Sequence, residues 1–598
     1  MTRRRILLPV LGVLFLLSCA EPPEKMAGES PLTISVKDIP GTRRLELPLR
    51  WEIGKPGGTW HDTYAEEPKS YNPFSNLDGT HLTVTGLMLD YLFDYDSDTR
   101  EWTGFLVDSF EIRVDEKRDF MELVCRLRDG IFWSDGVQMT ADDMVFWYDE
   151  IRGDPEIYPV GAQGQFVRMH DGTEKRILLE KIDRLGFKYV FPRVVQNPVL
   201  MVNASNIVPR HIWEPVKKKG KKAVMDLWGV DTPPEALVGN GPFLLEKNVP
   251  GERLIFKRNP HYWMKDQAGN PLPYLDRIIL TLTPDANAEL LKFQKGELDS
   301  YSLRGKDLAT LVPDAEARGY TIWNGGPADS YPCLIFNQNP RAISPAKLSW
   351  FTDPLFRKAV SCLVDRETII SQTINGLAEP LYHVISEYNR YYNPLLASPY
   401  SYNPERAREL LAEAGFRDQD GDGVLEDREG SPVAFDIMTH SQDTVLHDYL
   451  NIIITDLRKA GIKATLQIVD FNVVAQKLLN THDWDSWLAG LGFPTFPEQW
   501  YNVWRSDGNL HYWNPKQKTP SREWERRIDD IYGKLIYTYD EDRVQALYDE
   551  FQRTLLDEMV IVPIFRRYTF AAVYDRWGNI NWDVRRAIGD GFRRIYLK

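Results

Sequence analysis

Cysteine is scarce: four in 598 residues, and beyond the first twenty positions only Cys125, Cys333 and Cys362. An odd number at wide spacing offers neither a disulfide framework nor a cysteine-based metal knuckle, so buried free thiols are expected. Positive charge is short as well. Lys and Arg number 72 against 86 Asp and Glu, a net charge of −14, which argues against nucleic acid, since that partner asks for a basic face. The one dense basic run, Lys217-Lys218-Lys219-Gly220-Lys221-Lys222, reads as a solvated loop. Catalytic signatures are missing: the ten histidines form no HExxH pair, and there is no GxSxG elbow, Walker A loop or dinucleotide fingerprint. These absences weigh weakly against an enzyme. Beyond Leu17 no apolar run reaches the roughly 20 residues that span a bilayer.

What is present begins at the N-terminus. Arg3, Arg4 and Arg5 make a positive n-region, and Ile6 to Leu17 is an uncharged run of signal-peptide length. Leu16-Leu17-Ser18-Cys19 comes next and resembles a bacterial lipobox, with a small residue before a cysteine that would carry a diacylglycerol thioether. Cys19 is the expected lipidation site. A buried lipid methylene contributes roughly 0.8 kcal/mol, so two or three chains would anchor an extracytoplasmic body to a bacterial membrane, in the periplasm or at the cell surface. Residues 1–19 are read as signal peptide and lipobox cysteine, and 20–44 as a flexible tether, at first rich in Glu, Pro, Ser, Gly and Lys.

The body is long enough for more than one hydrophobic core. Strand and helix signals alternate along it. Leu123 to Leu127 alternates as a strand does and stops at Asp129-Gly130; Thr140 and Asp143 then form a capping-box pair at a helix start. Phe243 to Glu246 and Arg253 to Lys257 read as a strand pair, Ile278 to Leu282 as a strand, and Ala286 to Gln294 as a helix. Asp353-Pro354 opens a helix expected to run through Ile369. Asn403-Pro404 opens another, with Ala407, Leu410, Leu411 and Ala414 on one face and Gly415 as its C-cap. Thr444 to Ala460 reads as a helix, Lys463 to Val469 as a strand, and Ile561 to Tyr574 as β-rich. The class is α/β with mixed sheets.

The order of motifs resembles the family 5 extracellular solute-binding proteins, which include oligopeptide-, dipeptide- and nickel-binding proteins of ABC importers. The motifs are Tyr71-Asn72-Pro73-Phe74, Leu92 to Asp96, Leu127 to Gly136, Thr140 to Phe146, Gly239 to Phe243, Lys257 to Trp263, Gly296 to Asp299, Phe336-Asn337, Asp353 to Val360 and Tyr402 to Phe416. Each alone is weak; ten in family order are specific. The resemblance implies a two-lobed, periplasmic-binding-protein-like fold (type II, cluster C) with an additional inserted α/β domain. Lobe I would comprise 45–75, 201–305 and 556–598, the inserted domain 76–200, and lobe II 306–555, with hinge crossings near 305 and 555. It also implies a solute captured between closing lobes and delivered to a permease and ATPase complex, by a monomer. Arg357 reads as a structural ion-pair residue.

In peptide-binding members the ligand lies extended and adds to strand edges. The matching segments are Ala65, Glu66 and Glu67, and Ala489, Gly490, Leu491 and Gly492. An Asp that pairs the ligand's ammonium comes after the second strand in those members. Here Phe493 stands in its place, with Glu67 or Glu498 as substitutes. Aromatics crowd the stretch from Trp484 to Trp513. Trp500 and Trp504, at i and i+4, read either as core or as a stacking wall for an oligosaccharide or a cation. The ligand classes left open are peptide, oligosaccharide, and metal chelates or other small solutes; a sensor, adhesin or chaperone lipoprotein is the alternative to transport. No cofactor is required. One is admitted: Asp418, Asp420, Asp422, Glu426 and Glu429 stand at EF-hand positions one, three, five, nine and twelve, with Gly423 at the sharp turn and the Val424 carbonyl as a ligand. Gly430-Ser431-Pro432 forbids the exiting helix, so a structural Ca²⁺ loop without the full hand is expected.

Overall fold

The computed structural model describes residues 37–75, 79–203, 206–441, 444–492, 494–586 and 588–598. Residues 1–19, expected as signal peptide and lipobox Cys19, residues 20–36 of the expected tether, and Phe493 lie outside them.

Four larger sheets carry the described chain. The first runs Phe243–Val249, Arg253–Arg258, Arg277–Leu282, Thr59–Tyr64, antiparallel except for the last pair. Its period-two pattern puts Leu254, Phe256, Ile278, Leu280 and Trp60 in the core. The second runs Arg43–Arg44, Tyr320–Pro327, Phe565–Tyr574, Ser300–Leu303, with Ala378–Pro380 paired to the first residues of Phe565–Tyr574. The sheet of the inserted domain is antiparallel throughout, in the order Val107–Asp115, Phe120–Leu127, Gly186–Phe191, Leu178–Lys181. One continuous core joins these three sheets. At Ala141–Phe146 the expected capping box forms: Asp143 Oδ2 accepts from Thr140 N at 2.8 Å, and Thr140 Oγ1 accepts from Asp142 N at 3.3 Å.

The second lobe's sheet runs Lys463–Val469, Ala434–His440, Ser486–Gly492, Ser330–Phe336, Ile561–Pro563, parallel across the first three strands and antiparallel after. Both faces are covered. Leu334 and Phe336 enter one core with the helices Pro354–Cys362, Pro404–Ala414 and Thr444–Lys459; Tyr331, Cys333 and Ile335 enter another with Glu523–Leu535 and Glu541–Glu558. A sheet buried on both sides reads as apolar throughout. Helix Pro404–Ala414 has its expected ends: Asn403 Oδ1 accepts from Arg406 N at 2.9 Å, and Gly415 takes φ 98°. Cys125, Cys333 and Cys362 are buried free thiols. No helix among the described residues is long and apolar enough to cross a membrane.

Three expectations are corrected. The crossings lie at Ala328-Asp329 and at Ile564, not near 305 and 555: Tyr320–Pro327 pairs with Phe565–Tyr574, while Ser330–Phe336 and Ile561–Pro563 pair in the other sheet. Leu308, Leu311, Tyr320 and Ile322 accordingly belong to the first core. The tether ends before residue 43, because Arg43–Arg44 adds to that sheet beside Trp323 and Asn324. The helix expected over 354–369 breaks after Cys362 and restarts at Arg366–Thr373, capped by Asp365. The break turns buried Arg366 to donate to the Pro563 carbonyl at 2.6 Å.

Candidate functional site

Strand Ser486–Gly492 is the centre of the site. Ser330–Phe336 pairs with it along its whole length, Pro332 opposite Gly490 and Ser330 opposite Gly492. On its other side Ala434–His440 pairs only with Ser486 and Trp487, then diverges. From Leu488 to Gly492 one edge of the strand is therefore open. A cavity of about 580 Å³ lies against it. Its walls are Ser302 to Gly305 from the first lobe, Leu488 to Gly490 and His440 from the second, and Arg567 to Phe570 from the strand that enters the first lobe's sheet at the crossing. A Cβ built on Gly490 would meet no atom within 4 Å.

The sequence-derived candidates divide. Ala489 and Gly490 line the cavity. Leu491 points into the second lobe's core, and Gly492 is exposed beyond Gly490 on the same face. Ala65, Glu66 and Glu67 do not line it: the strand Thr59–Tyr64 ends before them, and the Glu67 carboxylate accepts from Gly251 N at the turn of the neighbouring hairpin. Trp500 and Trp504 do not share one regular helix, since a 3₁₀ turn, Pro497–Trp500, precedes the short helix Tyr501–Trp504. Trp504 is core, 3% exposed, packed on Trp513 and Phe551 at 5.5 and 5.3 Å between ring centroids, and Trp500 leans on it at 5.9 Å. Neither lines the cavity. Arg357 is structural, fully enclosed, and donates to the carbonyls of Phe351, Glu558 and Met559.

Glu498 lies where the inserted domain meets the second lobe. Its carboxylate faces the amide of Gln196, which is hydrogen-bonded to the Tyr391 hydroxyl at 2.7 Å. The residue as a whole is only half-buried, but this end is enclosed. Burial, with Glu541 nearby, pushes the carboxyl up to about 7, against the pull of its own backbone and Arg390. Close by, Arg100 donates to the carbonyls of Arg390 and Glu387, both at 3.1 Å, and Arg390 donates back to Arg100 O at 3.0 Å.

Sequence reasoning missed the ionic cluster at the crossing. Arg566, 4% exposed, pairs with Glu379 and Glu387, and Arg585 and Arg586 pair with Asp583 and with Asp98 of the inserted domain. Burial raises the Asp329 carboxyl to about 6 even with Arg566 and Arg585 near. These residues come from five stretches far apart in sequence, and no local pattern joins them.

The acidic loop folds around its own backbone. Asp418 accepts from Gly421 N and Gly423 N at 2.7 and 3.0 Å, Asp422 from Val424 N at 2.7 Å, and Glu426 from Gln419 N at 2.7 Å. Asp418, Asp420 and Glu426 bring carboxylate oxygens within 4.8 Å of one another. Asp422 and Glu429 are not part of that group.

Two α/β lobes joined by crossing strands, with an open strand edge facing a cavity between them, define a periplasmic-binding-protein-like solute-binding protein. The chain belongs to the bacterial extracellular solute-binding proteins, family 5, whose middle region matches residues 102–511. It is similar to the probable ABC transporter-binding protein of Deinococcus radiodurans, 28% identical over 554 residues, 88% of this chain and 91% of that one. It is also similar to the oligopeptide-binding protein AppA of Bacillus subtilis, 24% identical over 556 residues, 90% of this chain and 92% of AppA. AppA solved in complex with a nonapeptide superposes with a TM-score of 0.65 and 21% identity, covering 91% of this chain and 100% of that one. The periplasmic binding protein MelB of Agrobacterium fabrum C58, in complex with stachyose, superposes at 0.68 with 18% identity, covering 92% and 86%.

Proposed function

We propose that the chain is the substrate-binding lipoprotein of an ABC importer, anchored through Cys19, and that it captures an extended oligopeptide between its lobes for delivery to a membrane permease. The observation that carries the reading is the open edge of Leu488–Gly492 above the cavity. An extended peptide can add to such an edge through backbone hydrogen bonds. The glycine at 490 leaves the approach clear. An oligosaccharide has one observation in its favour, Trp582 in the cavity lining, a flat face of the kind sugar rings stack on. A structural Ca²⁺ at Asp418, Asp420 and Glu426, with the Val424 carbonyl, completes the proposal; it would stiffen the link between helix Pro404–Ala414 and strand Ala434–His440.

The test is a thermal-shift screen of the chain lacking residues 1–19 against peptides and oligosaccharides. A ligand at 100 times its Kd adds about 2.7 kcal/mol. Stabilisation by peptides supports the reading; stabilisation by oligosaccharides alone overturns it.

A further inference from the structure

A second cavity lies in the second lobe, past the end of strand Ser330–Phe336 that is remote from the crossing. It holds about 340 Å³ and shares no residue with the cavity beside Leu488–Gly492. Its polar lining is Asn339, Arg341, Thr481, His482 and Lys516. In a chain of net charge −14, no Asp or Glu takes part in that lining.

The fold fixes these groups through main-chain bonds. Asn337 donates to the carbonyls of His482 and Trp484 at 2.9 and 2.7 Å, tying the end of one strand to the approach of the next. The His482 Nδ1 bonds the Leu478 carbonyl at 3.0 Å, so that nitrogen carries the hydrogen and Nε2 is the ring's remaining polar atom. An anion beside Nε2 favours the protonated ring, in which that nitrogen also donates. The Lys516 amide donates to the Gly508 carbonyl at 3.1 Å, and its neighbour Gln517 is locked by a 2.8 Å bond to buried Glu525. His482 and Lys516 both stand at φ 57°, a left-handed backbone that residues other than glycine seldom hold.

The donors lack partners. Asn339 is 2% exposed, and its Oδ1 accepts from Arg341 N at 3.1 Å, which orients the amide. Its Nδ2 donates to nothing among the described residues. Arg341 and Lys516 are exposed and form no ion pair among the described residues. The acids nearest His482 in sequence are taken: Asp483 pairs with Lys477 and Asp485 with Lys347. A buried donor left bare is costly, and two unpaired cations beside it call for negative charge. We propose that this pocket binds an oxyanion of the phosphate class, with Arg341 and Lys516 supplying charge and Asn339 Nδ2 the buried donor. The planar guanidinium suits two oxygens of such a group, and the ammonium acts as a point charge. The phosphate group has two sources: free inorganic phosphate, or the headgroup of an anionic lipid in the membrane to which a Cys19 anchor would hold the chain. The site stands whatever solute the other cavity takes.

The test is isothermal titration of the chain lacking residues 1–19 with inorganic phosphate at constant ionic strength, with chloride as control, beside flotation on phosphatidylglycerol and phosphatidylcholine vesicles. Saturable phosphate binding is expected, weakened at least tenfold, about 1.4 kcal/mol, in Arg341→Gln and in Lys516→Gln. Lys518→Gln, at an exposed lysine outside the lining, should bind as the parent does. Both lining side chains are exposed, so neither substitution removes a core contact; should one variant misfold, the other decides. Phosphate binding without flotation assigns the site to the free ion. Flotation on phosphatidylglycerol alone, lost in the variants, assigns it to a lipid headgroup. Neither saturable phosphate binding nor such flotation, or binding that a folded variant keeps in full, overturns the proposal.

Discussion

Trp102 of the inserted domain lies flat on Phe496 of the second lobe, ring centroids 5.4 Å apart and planes 11° from parallel. Tyr95 meets the same ring edge-on at 4.7 Å. The inserted domain thus grips the second lobe independently of the crossing strands. An aromatic pair contributes about 0.5–1.5 kcal/mol beyond its buried area. Trp102→Ala is expected to shift the lobes toward an open form, raising the radius of gyration of the ligand-free protein in X-ray scattering and weakening ligand binding by up to roughly tenfold. An unchanged radius with unchanged affinity would show that this contact takes no part in closure.

The open edge makes Gly490 a separation-of-function position. Its backbone is not left-handed and its Cβ direction is empty, so Gly490→Val should leave the melting temperature unchanged or slightly raised while abolishing binding. Gly241 is the contrast: a Cβ there would stand 2.5 Å from the backbone of Met88. Gly241→Ala should lower stability by ~1–3 kcal/mol, the usual cost of overpacking. A Gly490→Val protein that still binds would remove this strand from the site.

Glu498 predicts a pH dependence. Its folded-state pKa of about 7 lies above the ordinary carboxyl value of 4.5, so the folded state holds this proton more tightly than the unfolded chain does. The contribution is fully present below pH 4.5 and is lost as the pH rises toward 7, by at most ~3 kcal/mol. Glu498→Gln should match the parent at pH 4.5 and exceed it in denaturant stability at pH 8. Parallel curves for the two proteins would show that the carboxyl is not enclosed in solution.

Arg357 ties helix Pro354–Cys362 to the end of Glu541–Glu558 through the main-chain carbonyls of Glu558 and Met559. Arg357→Met keeps the volume but leaves several buried acceptors bare, each costing about 1–3 kcal/mol. A loss of ~3 kcal/mol or more in urea unfolding is expected, with ligand affinity of the folded fraction unchanged. A loss below ~1 kcal/mol would mean the carbonyls find water.

If the 418–426 loop holds Ca²⁺, millimolar calcium should raise the melting temperature over a chelator control, by RT ln(1 + [Ca²⁺]/Kd) in free energy. Asp418→Asn should abolish the difference. Identical melting in calcium and chelator would leave the loop as a turn held by its own backbone bonds.

Much of the scaffold was legible in the sequence because its causes are local. Thr140 and Asp143 cap a helix through bonds three residues long, Asn403-Pro404 and Gly415 bracket another, and alternation marks Arg277–Leu282 as a strand wherever the chain goes. Ordered motifs carried the family, and with it the two lobes. Local reasoning failed where partners are distant. Trp500 and Trp504 have helical spacing, but whether an aromatic faces ligand or core depends on Trp513 and Phe551, which the fold brings to Trp504. The crossings moved because Tyr320–Pro327 pairs with a strand some 250 residues later. The open edge beyond Trp487, the cavity against it and the raised Glu498 carboxyl are likewise decided only in three dimensions. Capping and periodicity act through bonds between near neighbours, whereas register, enclosure and charge balance are sums over residues that only the folded chain places side by side.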